Sequence, residues 1–140
     1  MQIILKEPDN YVLRLDTGDE VLTTLKEFCR VESITGGFFY GIGAAGEALL
    51  SWYNISHKVY LDKHIIEELE IAGLQGNIAL LGNEFVIHAH GSVSDKNFQT
   101  HSGHFKKLVV SATCEIWLRK FINSMHRAPD GQTGLNFLTK

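Results

Sequence analysis

Three histidines pose the first chemical question. His88 and His90 stand two apart in the apolar run Glu84-Phe85-Val86-Ile87-His88-Ala89-His90, and His104 follows within Ser102-Gly103-His104-Phe105. On a strand, alternate side chains leave opposite faces, so His88 and His90 project to one side, about 6.7 Å apart along the chain. Two imidazoles at that separation can converge on one ion, each nitrogen about 2.0–2.1 Å from it. Val86 and Ser92 share their face, and Phe85, Ile87 and Ala89 take the other. A lone histidine on a strand is ordinarily a hydrogen-bonded residue. A His-x-His pair in an apolar run differs, because the two rings would repel if both were charged.

An open zinc site takes three protein ligands plus water. His104 is the best-placed third ligand, beside Gly103, whose bare backbone lets a neighbouring strand approach closely. His101 competes from three residues earlier, and Glu70 or Glu115 offers a carboxylate, so the residues by themselves leave the third ligand open. His57, His64 and His126 read as ordinary histidines. Imidazole suits Zn, Cu, Ni and Fe, and zinc tolerates an open three-histidine site, so zinc leads. Such a site offers Lewis-acid polarisation or activation of bound water. A structural zinc would favour four closed ligands and cysteine.

Elements must position these residues. Tyr11-Val12-Leu13-Arg14-Leu15 alternates as a half-buried strand. Thr17-Gly18-Asp19-Glu20 has the form of a capping box, with Thr17 as N-cap and Glu20 reaching back. Val21, Leu22, Leu25, Phe28 and Cys29 then predict an amphipathic helix running to about Glu32. Phe38 to Gly46 is aromatic and then small, and its glycines mark bulges or close backbone approach. A phosphate cradle would need a helix behind those glycines and, for a P-loop, a Lys-Ser/Thr pair, which are not there. Ala48–Tyr53 and His57–Tyr60 predict two strands joined by a short turn. Asp62–Ala72 fits either period, and Glu67-Glu68-Leu69-Glu70 favours a helical turn passing into strand. Ile78–Leu81 and Glu84–Val93 read as strands joined by the hairpin signal Gly82-Asn83. A polar loop is expected from Ser94 to Ser102, then a core strand Leu108–Leu118. The tail from His126, with Pro129, Gly131 and Gly134, predicts coil with Leu135, Phe137 and Leu138 docked on a surface.

The whole chain sets bounds. Its 140 residues fit one domain, 1–140, with a core over about 11–121 and a C-terminal coil over 126–140. Hydrophobic residues at 44% and charged residues at 21% are globular values, which excludes disorder. The opening residues lack a secretory pattern, and no apolar run approaches the roughly 20 residues of a membrane span, so a cytoplasmic protein is expected. Cys29 and Cys114 lie far apart in apolar segments and read as buried, reduced thiols. A formal net charge of −3, with no basic run longer than Lys106-Lys107, argues against general DNA binding.

Several motifs together carry a family resemblance. They are Arg14-Leu15 with Gly18-Asp19-Glu20, Gly41-Ile42-Gly43-Ala44, Glu70-Ile71-Ala72-Gly73-Leu74-Gln75-Gly76-Asn77-Ile78, and His88-Ala89-His90. Ser102-Gly103-His104-Phe105, Thr113-Cys114-Glu115-Ile116 and Asp130-Gly131-Gln132-Thr133-Gly134-Leu135 complete the order. From about Tyr11 to Leu138 the chain resembles the plant-and-prokaryote-conserved (PPC) domain, long classed as a domain of unknown function. The resemblance implies an α/β domain of α+β type. Its mostly antiparallel mixed β-sheet would carry one main amphipathic helix and short helices, similar to acetolactate decarboxylase. It implies a homotrimer and three metal-binding histidines, mapping onto His88, His90 and His104. The family's Gly-Gly-His-Leu stands here as Ser102-Gly103-His104-Phe105, with the histidine kept.

Plant members of that family carry AT-hooks centred on Arg-Gly-Arg. Here the only arginines are Arg14, Arg30, Arg119 and Arg127, all isolated. The expected function is that of a zinc-binding homotrimeric PPC-domain protein, a DNA-associated or regulatory module without its own AT-hook. The alternative is a metal-dependent enzyme, a lyase or decarboxylase on a small oxo- or hydroxy-acid, with Glu70 or Glu115 as general acid–base. Neither reading calls for an organic cofactor or a membrane.

Overall fold

Alternation along Tyr11-Val12-Leu13-Arg14-Leu15 produces the strand it predicts. In the computed structural model, which describes residues 1–140, Tyr11, Leu13 and Leu15 are buried on one face of β2 (Asn10–Asp16). An edge strand, β1 (Gln2–Lys6), pairs antiparallel with β2. The helix α1 (Val21–Val31) buries Val21, Leu25, Phe28 and Cys29 and packs Leu22 against the same core, the stripe the sequence sets out.

The capping box does not form. The N-cap is Glu20, whose carboxylate accepts from the amides of Leu22 at 3.2 Å and Thr23 at 2.7 Å. It also accepts from the Leu108 amide at 3.1 Å. Thr17 instead donates its hydroxyl to the Ser111 carbonyl at 3.0 Å. A turn separates the two residues, in which Gly18 takes φ +89°, a conformation that favours glycine. That turn is tied to the strand β6 (Thr100–Lys120) by the Gly18 amide to the Val110 carbonyl, 2.9 Å, and the Val110 amide to the Asp19 carbonyl, 3.0 Å. The tether to a strand ninety residues away outweighs the local capping preference.

Most of the sheet is four long strands: β3 (Gly37–Asn54), β4 (Val59–Leu81), β5 (Glu84–Ser94) and β6 (Thr100–Lys120). With the short strands β7 (His126–Pro129) and β8 (Asn136–Thr139) at one edge, the strand order is β1-β2-β6-β3-β4-β7-β8, and β5 pairs with both β4 and β6. The strands β3, β4, β5 and β6 therefore close into a ring, which removes free edges there. All pairs are antiparallel except β4 with β7 (His126–Pro129), which makes the sheet mixed. α1 is its one helix, and the short helices expected beside it are not present.

Asp62–Ala72 is continuous strand rather than a helical turn. Its residues pair with β3 from Ile71 opposite Gly43 to Asp62 opposite Ser51. Ile65, Leu69 and Ile71 are buried, while Glu67, Glu68 and Glu70 point to solvent. The ladder to β3 overrides the weak helical preference of glutamate, since strand formation depends mainly on cross-strand neighbours. The tail also departs from the expected coil. β7 and β8 (Asn136–Thr139) form an antiparallel hairpin, and β7 reaches Leu80 and Leu81 of β4. Phe137 and Leu138 remain about half exposed on it.

The glycines of β3 serve close packing. Register shifts fall between Gly41 and Gly43 and between Ala45 and Glu47, and a Cβ on Gly43 would overlap the Thr113 carbonyl. Phe39 is in the core, whereas Phe38 and Tyr40 face outward. The core lies between α1 and the inner face of the sheet, with Leu74, Ile78, Ala89, Phe105, Leu108, Ile116 and Leu118 among its members. Cys29 and Cys114 are buried there and unbridged, and burial pushes both thiols up to about 12. No helix is long and apolar enough to cross a membrane.

Candidate metal centre

Strand alternation places His88 and His90 on the outer face of β5, opposite Asn77 and Gln75 of β4. The β5–β6 hairpin then sets His104 directly across from His90. Ser94 pairs with Thr100, so the connection is shorter than the polar loop expected from Ser94 to Ser102. The next pair in that ladder is Gly91 with Gly103. A Cβ on Gly91 would overlap the Gly73 carbonyl, and one on Gly103 would lie 2.9 Å from the Ser51 carbonyl. Bare backbone at both positions lets the hairpin settle against β3 and β4, with His104 also opposite Ser51.

One candidate nitrogen from each of His88, His90 and His104 lies within 4.8 Å of the others. The three ring centroids are 5.0, 5.2 and 5.1 Å apart in pairs. His104 Nδ1 and His90 Nε2 are 3.3 Å apart and share a hydrogen bond. A cluster able to coordinate a metal ion is therefore present in this chain. No carboxylate and no cysteine belongs to it.

The surroundings favour neutral rings. Burial lowers His88 to about 4, helped by the charges of Arg127, His104 and His90. Burial also lowers His104, with His90, Lys106 and Arg127 adding to it. His90, the most open of the three, is lowered by partial burial of its ring. Near neutral pH each imidazole thus has one lone pair to give, the form a metal requires.

His101 does not compete. It lies opposite Val93, an odd number of residues from His104 and so on the other face, where its Nδ1 is 3.0 Å from the Lys63 ammonium. Glu70 is paired with Ser94, four residues from His90 and so about 13 Å along β5. Glu115 sits between Arg14 of β2 and Ile42 of β3, far along β6 from His104. His64 pairs with Glu47 at 2.7 Å, His57 lies in the β3–β4 turn, and His126 is on β7 opposite Thr139.

Several neighbours of the cluster have no local sequence signal. The Arg127 guanidinium donates through Nη2 to Asn77 Oδ1 at 2.7 Å and approaches His88 Nδ1 at 3.1 Å. The Tyr60 ring is 5.9 Å from that of His104, and the Lys106 ammonium lies 4.5 Å over Tyr60. Lys106 also pairs with Asp62 at 2.8 Å, and Asp62 accepts from the Ser51 hydroxyl at 2.6 Å. These contacts join segments distant in sequence, and only the closed sheet brings them together.

Residues 5–122 match the profile of the Plants and Prokaryotes Conserved (PCC) domain. A structure from Ralstonia eutropha, described as a candidate DNA-binding protein, shares 34% identity over 97% of this chain and 94% of its own, with TM-score 0.90. A metal-containing protein from Archaeoglobus fulgidus shares 26% identity over 100% and 99% of the two chains, with TM-score 0.89. A plant- and prokaryote-conserved (PPC) protein from Pyrococcus horikoshii shares 27% identity over 94% and 91%, with TM-score 0.87. Acetolactate decarboxylase from Bacillus subtilis is similar in fold alone: TM-score 0.58 and 8% identity over 87% of this chain and 57% of that one. No curated protein matches the sequence.

Proposed function

The chain belongs to the Plants and Prokaryotes Conserved (PCC) domain family, and from that premise we propose that it is a zinc-binding homotrimer serving as a DNA-associated or regulatory module. The observation that carries the metal reading is the meeting of three neutral imidazole nitrogens within 4.8 Å, with no other ligand type in the group. His88, His90 and His104 would hold the ion, and the donor set fits zinc with a position left for an outside ligand. The metal-containing relative supports the same reading.

Support for self-association comes from the outer sheet face. Phe38, Tyr40 and Ile42 are 41%, 53% and 53% exposed in the single chain, and Tyr40 stacks on Trp117 at 5.4 Å. A contiguous apolar face of this kind ordinarily marks an interface. Direct DNA contact is weakly served. These residues include no Arg-Gly-Arg, the net charge is −3, and six cations are already paired: Lys6, Arg14, Lys26, Arg30, Lys106 and Lys107. The DNA association suggested by the named relatives would then run through partner proteins. Two unbridged buried thiols support a cytoplasmic setting.

Metal analysis with native mass spectrometry tests this directly. One zinc per chain in a trimer is expected, with zinc lost in His88→Ala; a zinc-free monomer would refute it. Anisotropy with A·T-rich duplex at physiological salt should show no tight binding, and sequence-dependent binding would return DNA contact to this chain.

The enzyme reading has its own support in Tyr60, Lys106 and Arg127, which flank the cluster with polar and cationic groups. Bound zinc would supply Lewis-acid chemistry. The chain's cations would orient a small oxo- or hydroxy-acid, while Glu70 and Glu115, the acid–base candidates of the sequence, lie too far along β4 and β6 to reach it. Turnover of such an acid above a His88→Ala control is what this alternative predicts.

A further inference from the structure

We infer that Arg127 and the metal compete for His88, so that the C-terminal hairpin acts as a built-in rival for the site. This rests on the zinc reading above. A guanidinium has only donors, and a neutral imidazole has one lone pair and one N–H. With Arg127 Nη2 donating to His88 Nδ1 at 3.1 Å, that lone pair is consumed and the proton stands on Nε2. In that tautomer His88 has no lone pair left for an ion. To ligate through Nδ1 it must lose Arg127. To ligate through Nε2 it must turn an Nδ1–H toward a cation, which also breaks the bond.

The outer partner of a metal-bound histidine is ordinarily a carboxylate, carbonyl or water that accepts the ring N–H. Arg127 has the opposite polarity. It is also held in place from two sides: Nη1 donates to the Asn136 carbonyl of β8 at 2.7 Å, and Nη2 to Asn77 Oδ1 on β4 at 2.7 Å. Its Nε is buried without a partner. The guanidinium thus links the β7–β8 hairpin to β4 and β5 through the same contact that blocks the ligand. Loading the site must loosen that link, and strengthening the link must weaken loading, because coupling between two binding events is reciprocal.

The experiment combines zinc titration by competition with a chromophoric chelator and 15N NMR of the histidine rings. Before zinc is added, His88 should be the Nε2–H tautomer, with Nδ1 as acceptor. Arg127→Gln should bind zinc tenfold or more tighter than the wild type. Arg127→Lys keeps the charge but cannot span Asn136, Asn77 and His88 at once, so it should also bind more tightly. In the wild type, zinc should speed hydrogen exchange in residues 126–139. An Nδ1–H tautomer in the zinc-free wild type would overturn the proposal. So would unchanged or weaker zinc binding in Arg127→Gln, or tightening confined to Gln, which would reduce the effect to charge. Absence of zinc uptake in every variant would instead refute the metal reading, while the tautomer of His88 would still report on the Arg127 contact.

Discussion

Two histidine neighbourhoods on one sheet differ in almost everything but residue type. His88, His90 and His104 meet among themselves, partly buried, beside cations and without a carboxylate. His64 lies on β4 with its side chain 49% exposed and bonded to Glu47 at 2.7 Å, and Glu47 also holds Lys107 at 2.9 Å. Lys107 and His64 together keep the Glu47 carboxyl below its usual range. In the first group the rings are kept neutral and gathered edge to edge, with one nitrogen of each within 4.8 Å of the others. In the second the ring is bonded to a carboxylate that also holds a lysine. The lesson is that a histidine becomes a metal-ligand candidate through what is missing around it as much as through its spacing.

The largest effect should come from breaking the first group. His88→Ala or His90→Ala should weaken zinc binding by at least about 100-fold, since even outer-partner mutations cost about 10–100-fold. His64→Ala should leave it unchanged within about twofold. Isothermal titration of the three variants checks the contrast, and a comparable loss in His64→Ala would erase it.

A smaller effect is the pH dependence that His88 brings to the first group. Folded His88 titrates at about 4 against an ordinary 6.5. Between those values the unfolded chain takes up a proton that the folded chain refuses, so stability falls as pH drops from about 6.5 toward 4. Because the site is partly solvated, the contribution is discounted to about 1 kcal/mol. Metal-free wild type should then lose about 2–4 °C more in Tm than His88→Ala over that window. Equal slopes by differential scanning calorimetry would show that His88 is not held neutral by the fold.

The smallest effect belongs to the exposed group. Glu47→Gln should leave the denaturation midpoint nearly unchanged, as expected for exposed pairs, and leave zinc binding intact. Denaturant melts measure the first and chelator competition the second.

Much of this was readable before any fold was in view. The two-residue period of Glu84–Val93 put His88 and His90 on one face, and the stripe from Val21 to Cys29 put α1 on the core. Those signals are local, because side-chain direction in a strand or helix follows from backbone geometry alone. The start of α1, the continuous β4 and the β7–β8 hairpin depart from the local signals for one reason. Each is decided by pairing with a remote strand: Glu20 with β6, Ile66, Leu69 and Glu70 with β3, and His126 with Leu80.

The sequence by itself determined the shared face of His88 and His90 and a family whose profile covers residues 5–122. The family resemblance pointed to His104, but the residues by themselves left His101 and both carboxylates open, and register across the β5–β6 hairpin is what brings His104 alone to the pair. One position of slip would have turned His104 to the other face of the sheet, away from His90. Tertiary structure alone also set Arg127 against His88, through a parallel contact between β7 and the end of β4 that no periodicity encodes. Spacing along the chain fixes which way a side chain points, and only pairing between distant segments fixes what it meets there.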